Sequence, residues 1–130
     1  MVEVLVSHYR KAMVSDFPVP LVGLQVTDYG PDARAVTVTG ELDALTAPTL
    51  AACLFAQLAV ARVVVVNLDG LKFVASAGLR VLFEMNEVAI ERDRRLRFVC
   101  NCPLANLALE ATGLRQHLTF VDDVADALSD

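Results

Sequence analysis

The sequence predicts an α/β fold: a single domain built on a mixed, mostly parallel β-sheet, with an N-terminal hairpin and about four packed helices. Three observations carry that expectation. Val63-Val64-Val65-Val66-Asn67-Leu68 is apolar without alternation, the pattern of a central strand buried on both faces. Ahead of it, two strand-like runs flank the turn Asp28-Tyr29-Gly30-Pro31-Asp32 and read as a hairpin. Behind it, strand-like and Ala/Leu-rich helical stretches alternate, which implies right-handed crossovers between parallel strands.

The elements follow in order. Residues 1–18 form an N-terminal extension ending at Pro18-Val19-Pro20, which breaks any helix, and the domain proper runs from 19 to 130. Val4, Leu5, His8, Ala12 and Met13 fall on one helical face. The extension is therefore either a short helix docked on the body or on a second subunit, or a flexible segment. Leu21 to Thr27 and Ala33 to Gly40 are the hairpin strands. Thr46-Ala47-Pro48 reads as a helix start, with Thr46 as N-cap and Pro48 in the first turn, and the helix runs through Leu50 to Ala61.

After the central strand, Asp69 to Ala75 reads as a loop and Ser76 begins a helix reaching about Arg92. Val81, Leu82, Met85, Val88 and Ala89 form its core stripe, opposite Arg80, Glu84, Glu87 and Glu91. Leu96 to Cys100 is the next strand. Pro103 starts a third helix with Leu104, Leu107, Ala108 and Ala111 as its expected buried face, ended by Gly113 in the left-handed conformation with Leu114 behind it. Leu118 to Val121 is the last strand, and Asp122 to Leu128 an acid-started final helix.

Composition narrows the function. With 130 residues there is room for one core, and 55% hydrophobic content excludes a disordered chain. A net charge of −5 disfavours phosphate backbones and anionic lipid surfaces. The Arg92, Arg94, Arg95, Arg97 cluster, interrupted by Asp93, reads as a solvated helix end. No apolar run approaches the roughly 20 residues that span a bilayer, and the N-terminus lacks the order of a signal peptide. Cys53, Cys100 and Cys102 have no framework or zinc spacing, and His8 and His117 show no ligand pairing, so reduced thiols in the cytoplasm and no metal or cofactor are expected.

Chemistry concentrates at Ser76. A serine opening a helix serves as an N-cap, as a nucleophile, or as a phosphorylation site. Val74-Ala75-Ser76-Ala77-Gly78 lacks the first glycine of a nucleophile elbow, and seven residues separate Leu68 from Ser76 where an elbow turns directly off its strand. A phosphate there would instead sit at the positive helix end and present a dianion to anything docked on that surface. Phe83, two turns on, falls on nearly the same face and is either a partner contact or tucked under a neighbouring element.

At these residues the sequence resembles the STAS-domain family of anti-sigma-factor antagonists over about residues 20 to 128. VVVVNLDGLKFVASAGLRVL, residues 63–82, is similar to the family's buried strand, loop and D-S-x-G-L helix start. Gly40-Glu41-Leu42-Asp43 matches its G-E-L-D turn and Thr112-Gly113-Leu114 its T-G-L. The resemblance implies a non-enzymatic protein, a monomer or homodimer, that binds an anti-sigma factor with serine kinase activity. Phosphorylation of Ser76 by that kinase would end the interaction, and a metal-dependent PPM-type phosphatase would reset it. The implied docking surface comprises Glu41, Asp43, Phe73, Ser76, Ala77, Gly78, Leu79 and Arg80, beside Phe83 from the helix geometry. ATP and Mg²⁺ would belong to the kinase, since no glycine-rich nucleotide loop is present here. One departure stands out: Ala75 occupies the place where the family commonly has Asp. The rival to this leading reading is a STAS scaffold subunit of a signalling or transporter-associated assembly, in which Ser76 is only a cap.

Overall fold

The computed structural model describes residues 22–128. The N-terminal extension, residues 1–18, lies outside them. The elements are β1 (Gly23–Asp28), β2 (Ala33–Leu42), α1 (Ala47–Val60), β3 (Val63–Val74), α2 (Ser76–Glu91), β4 (Arg95–Val99), α3 (Pro103–Ala111), α4 (Leu114–His117), β5 (Phe120–Val121) and α5 (Val124–Leu128).

The strands form one sheet in the order β1-β2-β3-β4-β5. The β1–β2 hairpin is antiparallel, and β2, β3, β4 and β5 run parallel. Two layers cover the sheet. On one face, α1, α2 and α3 pack over Val36, Val38, Val64, Val66, Leu68 and Phe98. On the other, α5 places Ala127 over Ala35, Val65 and Val99. Val64, Val65 and Val66 are fully enclosed, so the unbroken valine run is the signature of a strand covered on both sides. Burial pushes the Cys53 thiol up to about 11 and raises that of Cys100, as befits cysteines packed as small hydrophobes.

Four expectations need correction. Asp69 to Val74 is not a loop: β3 continues to Val74, because β2 also continues and pairs with it past two register irregularities, Thr39 with Gly70 and Glu41 with Phe73. On α3 the buried residues are Ala105 and Leu109, whereas Leu104, Leu107 and Ala111 are exposed. A short helix, α4, follows Gly113 where a direct run into the last strand was expected. Thr46 occupies the N-cap position of α1 without making a side-chain cap bond. Gly113 itself takes φ 81° as expected, and Leu114 packs against the core behind it.

Candidate functional site

Because β2 and β3 are parallel, their C-terminal ends lie at the same end of the sheet, and each leads into a helix there. That is how the fold brings the two quoted motifs together. Glu41 pairs with Phe73 and Leu42 with Val74 across the sheet. The Ala75 amide then donates to the Leu42 carbonyl at 2.8 Å, which extends the pairing to the threshold of α2.

Gly78 explains why the helix can start so close. A Cβ there would meet Leu42 Cγ at 2.6 Å and Cδ2 at 2.8 Å, with the Leu42 carbonyl at 3.2 Å. Only a glycine lets the first turn of α2 lie on that wholly buried leucine. Sequence reasoning missed Leu42 as the keystone. The signal was a glycine two residues into a helix, where backbone freedom serves no purpose and close approach does.

Ser76 is the first residue of α2, and Ala75 holds the N-cap position with extended backbone (φ −104°, ψ 174°). A serine at the N-cap would turn its oxygen back onto the first-turn amides. One residue further on, the Ser76 side chain is exposed, and among the described residues its hydroxyl has no hydrogen-bond partner. The Gly78 and Leu79 amides donate to the Ala75 carbonyl at 3.0 and 3.1 Å. The earlier N–H groups of a helix have no intrahelical acceptor, so α2 offers its positive end beside an unengaged hydroxyl.

The neighbouring turn is closed. Asp43 Oδ1 accepts the Leu45 and Thr46 amides at 3.0 Å each. The Thr46 hydroxyl accepts the Asp43 amide at 2.9 Å and donates to the Glu41 carbonyl at 2.9 Å. The Thr46 amide bond, aided by the Thr46 hydroxyl and the Leu45 amide and opposed by desolvation, holds the Asp43 carboxyl below its ordinary value.

The anticipated residues therefore divide. Phe73 (47% exposed), Ser76 and Arg80 face solvent, and Glu41 and Ala77 are half-buried beside them. Gly78 and Leu79 are buried, with Leu79 in the main core, so their side of α2 anchors the helix. Asp43 is half-buried and engaged in the turn. Phe83 combines both readings of it: 40% exposed, it also stacks on His117 with ring centroids 5.0 Å apart. His117 Nε2 lies 3.4 Å from Glu87 Oε2, which tethers α4 to the outer face of α2. This imidazole is thus engaged about 10 Å along α2 from Ser76, two turns away, and does not pair with the Ser76 hydroxyl as a hydrolase would require.

Among the described residues no group of three or more His, Cys, Asp or Glu side chains is placed to hold a metal ion, and no helix is long and apolar enough to cross a membrane.

Solved structures of similar shape include anti-sigma factor antagonists. An anti-sigma factor antagonist from Mycobacterium paratuberculosis superposes with a TM-score of 0.74 at 27% identity, over 83% of this chain and 92% of that one. The anti-sigma factor antagonist SpoIIAA in its unphosphorylated form gives 0.70 at 15% identity, over 83% and 94% of the two chains. The phosphorylated form of SpoIIAA, the Bacillus cell fate determinant, gives 0.66 at 15% identity, over 82% and 97%. At 15% identity the likeness speaks to the fold. Among curated proteins there is no significant match. The STAS domain model matches residues 26–127, from β1 to the last helix, and its family is non-catalytic. By that match this chain belongs to the STAS-domain family.

Proposed function

We propose that this chain is an anti-sigma-factor antagonist of the cytoplasm, switched by phosphorylation of Ser76. Unphosphorylated, it binds an anti-sigma factor that is also a serine kinase, through Glu41, Phe73, Ser76, Ala77, Arg80 and Phe83. Gly78, Leu79 and Asp43 hold that surface in shape. The kinase brings ATP and Mg²⁺ and transfers the γ-phosphoryl group to Ser76 Oγ, releasing ADP. A PPM-type phosphatase hydrolyses the phosphoserine and resets the cycle.

The observation that carries the reading is the exposed Ser76 hydroxyl at the first position of α2, with no hydrogen-bond partner among the described residues. Phosphorylation adds about −1.5 to −2 charges there. The first-turn amides and the helix dipole accommodate that charge without refolding the domain, while a partner seated on Phe73 and Ala77 meets a hydrated dianion. The switch thus acts on binding and leaves the fold intact.

Incubation with the cognate anti-sigma kinase and ATP, followed by intact mass, tests the proposal. Wild type gains one phosphate, Ser76→Ala gains none and keeps its stability within about 0.5 kcal/mol, as expected for an exposed site. Ser76→Asp weakens the complex in calorimetry. A wild-type protein that stays unmodified sinks the switch. Ala75, which removes the family's carboxylate beside the serine, favours a second reading in that case: a constitutively bound STAS scaffold subunit of a larger assembly.

A further inference from the structure

The outer face of α1 has no role in the switch, and its chemistry is unusual for a surface. None of the 14 residues of this helix is charged. One side is core: Leu50, Cys53, Leu54, Gln57 and Leu58 are buried. The opposite side is also apolar. Leu45, in the turn before the helix, and then Pro48, Ala52, Phe55 and Ala59 are exposed, at spacings alternating between three and four residues. Leu45 is 71% and Phe55 46% exposed. The neighbouring α2 shows the ordinary arrangement, with Arg80, Glu84 and Glu91 on its wet side. A three–four apolar seam is the pattern that receives another helix.

The order of sizes along the seam points to a second copy of the same helix. Seven residues before Ala52 stands Leu45, and seven after it stands Ala59. Four before it stands Pro48, and three after it Phe55. Two copies crossing antiparallel about a twofold axis at Ala52 therefore set each Leu45 against the other copy's Ala59. Each Phe55 likewise meets the other copy's Pro48, and the two Ala52 methyls lie at the closest approach. A twofold interface must be self-complementary in this way, large against small.

Charge favours the same sense. Antiparallel α1 helices oppose their dipoles head to tail. The cation in contact with the seam is Arg92, its guanidinium 4.3 Å over the Phe55 ring in the C-terminal half. The carboxylate nearest the other end in sequence is Asp43, two residues before Leu45. Antiparallel crossing brings each cation towards the acidic end of the other copy, where parallel crossing would bring like towards like.

We infer that this chain forms a homodimer through the Leu45–Ala59 seam, with its two α1 helices antiparallel about a twofold axis at Ala52. A standard stable interface takes about 20–30 residues a side, more than one helix seam supplies, so the dimer is weak, with a dissociation constant of roughly 10–1000 µM. It forms whether or not Ser76 is phosphorylated, since that residue opens a different helix.

Sedimentation equilibrium on the full chain tests this. The average mass of the wild type rises from 14.0 kDa towards twice that value between about 10 µM and about 1 mM. Ala52→Glu and Ala52→Lys each stay at the monomer mass, because a charge beside the axis faces its own copy. An equimolar mixture of the two dimerises about tenfold or more tightly than either alone, as opposite charges then meet. Circular dichroism shows both variants folded, as expected at an exposed helix position. A wild type that keeps the monomer mass through about 1 mM overturns the inference. So do single variants that dimerise like the wild type, which would put the contact on another face. A mixture that stays monomeric also overturns it, by moving Ala52 off the axis.

Discussion

In the turn that leads into α1 the chain satisfies its own polar groups: the Asp43 carboxylate accepts the Leu45 and Thr46 amides, the Thr46 hydroxyl bridges the Asp43 amide and the Glu41 carbonyl, and the Ala47 amide donates to the Asp43 carbonyl. At the start of α2, from the same end of the sheet, Ala75 offers no side-chain acceptor and the Ser76 hydroxyl stands exposed. Both helices follow parallel strands that are paired with each other, so backbone geometry alone does not explain the contrast. The difference lies in side-chain chemistry. The first turn spends its polar groups on itself and is structural, whereas the second keeps a hydroxyl and helix-end amides available to something outside the fold.

Gly78 is where the two turns touch, and breaking that contact has the largest expected effect. Gly78→Ala puts a Cβ into Leu42, which is fully buried and whose carbonyl is fixed by the Ala75 amide. Relief requires α2 to lift from the sheet or Leu42 to leave its rotamer, at about 1–3 kcal/mol. Urea unfolding should show a lower midpoint at unchanged slope. An unchanged midpoint would mean that the two helix starts are not mechanically joined.

Asp43→Ala opens the closed turn and should cost about 1 kcal/mol, the order expected for losing a carboxylate's hydrogen bonds to two turn amides. Its pH dependence identifies the cause. Folding lowers the Asp43 carboxyl from its ordinary 3.8, so the folded state binds its proton less readily than the unfolded state. The stabilisation is complete above about pH 5 and disappears as the pH falls through the lowered folded value. The stability gap between wild type and Asp43→Ala should therefore close in acid. A gap that stays constant down to pH 2 would assign the loss to packing.

The contrast was only half legible in the sequence, for physical reasons. The β3 valine run and the position of Ser76 could be read directly, because a doubly buried strand and a core stripe on α2 leave strong periodic signals. The extension of β3 through Asp69-Gly70 was hidden, since those residues punctuate a chain locally and only the pairing of Gly70 with Thr39 and of Leu71 with Gly40 keeps the run in the sheet. The buried face of α3 was hidden too. Leu104 and Leu107 compete with Ala105 and Leu109 for the core on a nine-residue helix, and pattern alone does not choose between two apolar faces. Thr46 looked like an N-cap because threonine has the right chemistry there. Asp43, three residues earlier, bonds the Thr46 amide, and the hydroxyl turns to the Glu41 carbonyl instead.

The smallest expected effect is the most direct test of the open turn. Ala75→Asp places a carboxylate at the N-cap of α2, where the backbone is already extended as a capping residue requires. If the first-turn amides lack a side-chain partner, the new acceptor should stabilise the domain by about 0.5–1 kcal/mol, more in low salt, where the helix dipole is less screened. The gain should vanish in acid as the new carboxyl protonates, the same sign as for Asp43. The substitution also bears on the switch. A capping carboxylate competes for the amides that a phosphate on Ser76 would use, so the stability change on phosphorylation should be less favourable in Ala75→Asp than in wild type. Were Ala75→Asp neutral at every pH, the amides of α2 would already be satisfied, and the two helix starts would differ only in which groups satisfy them.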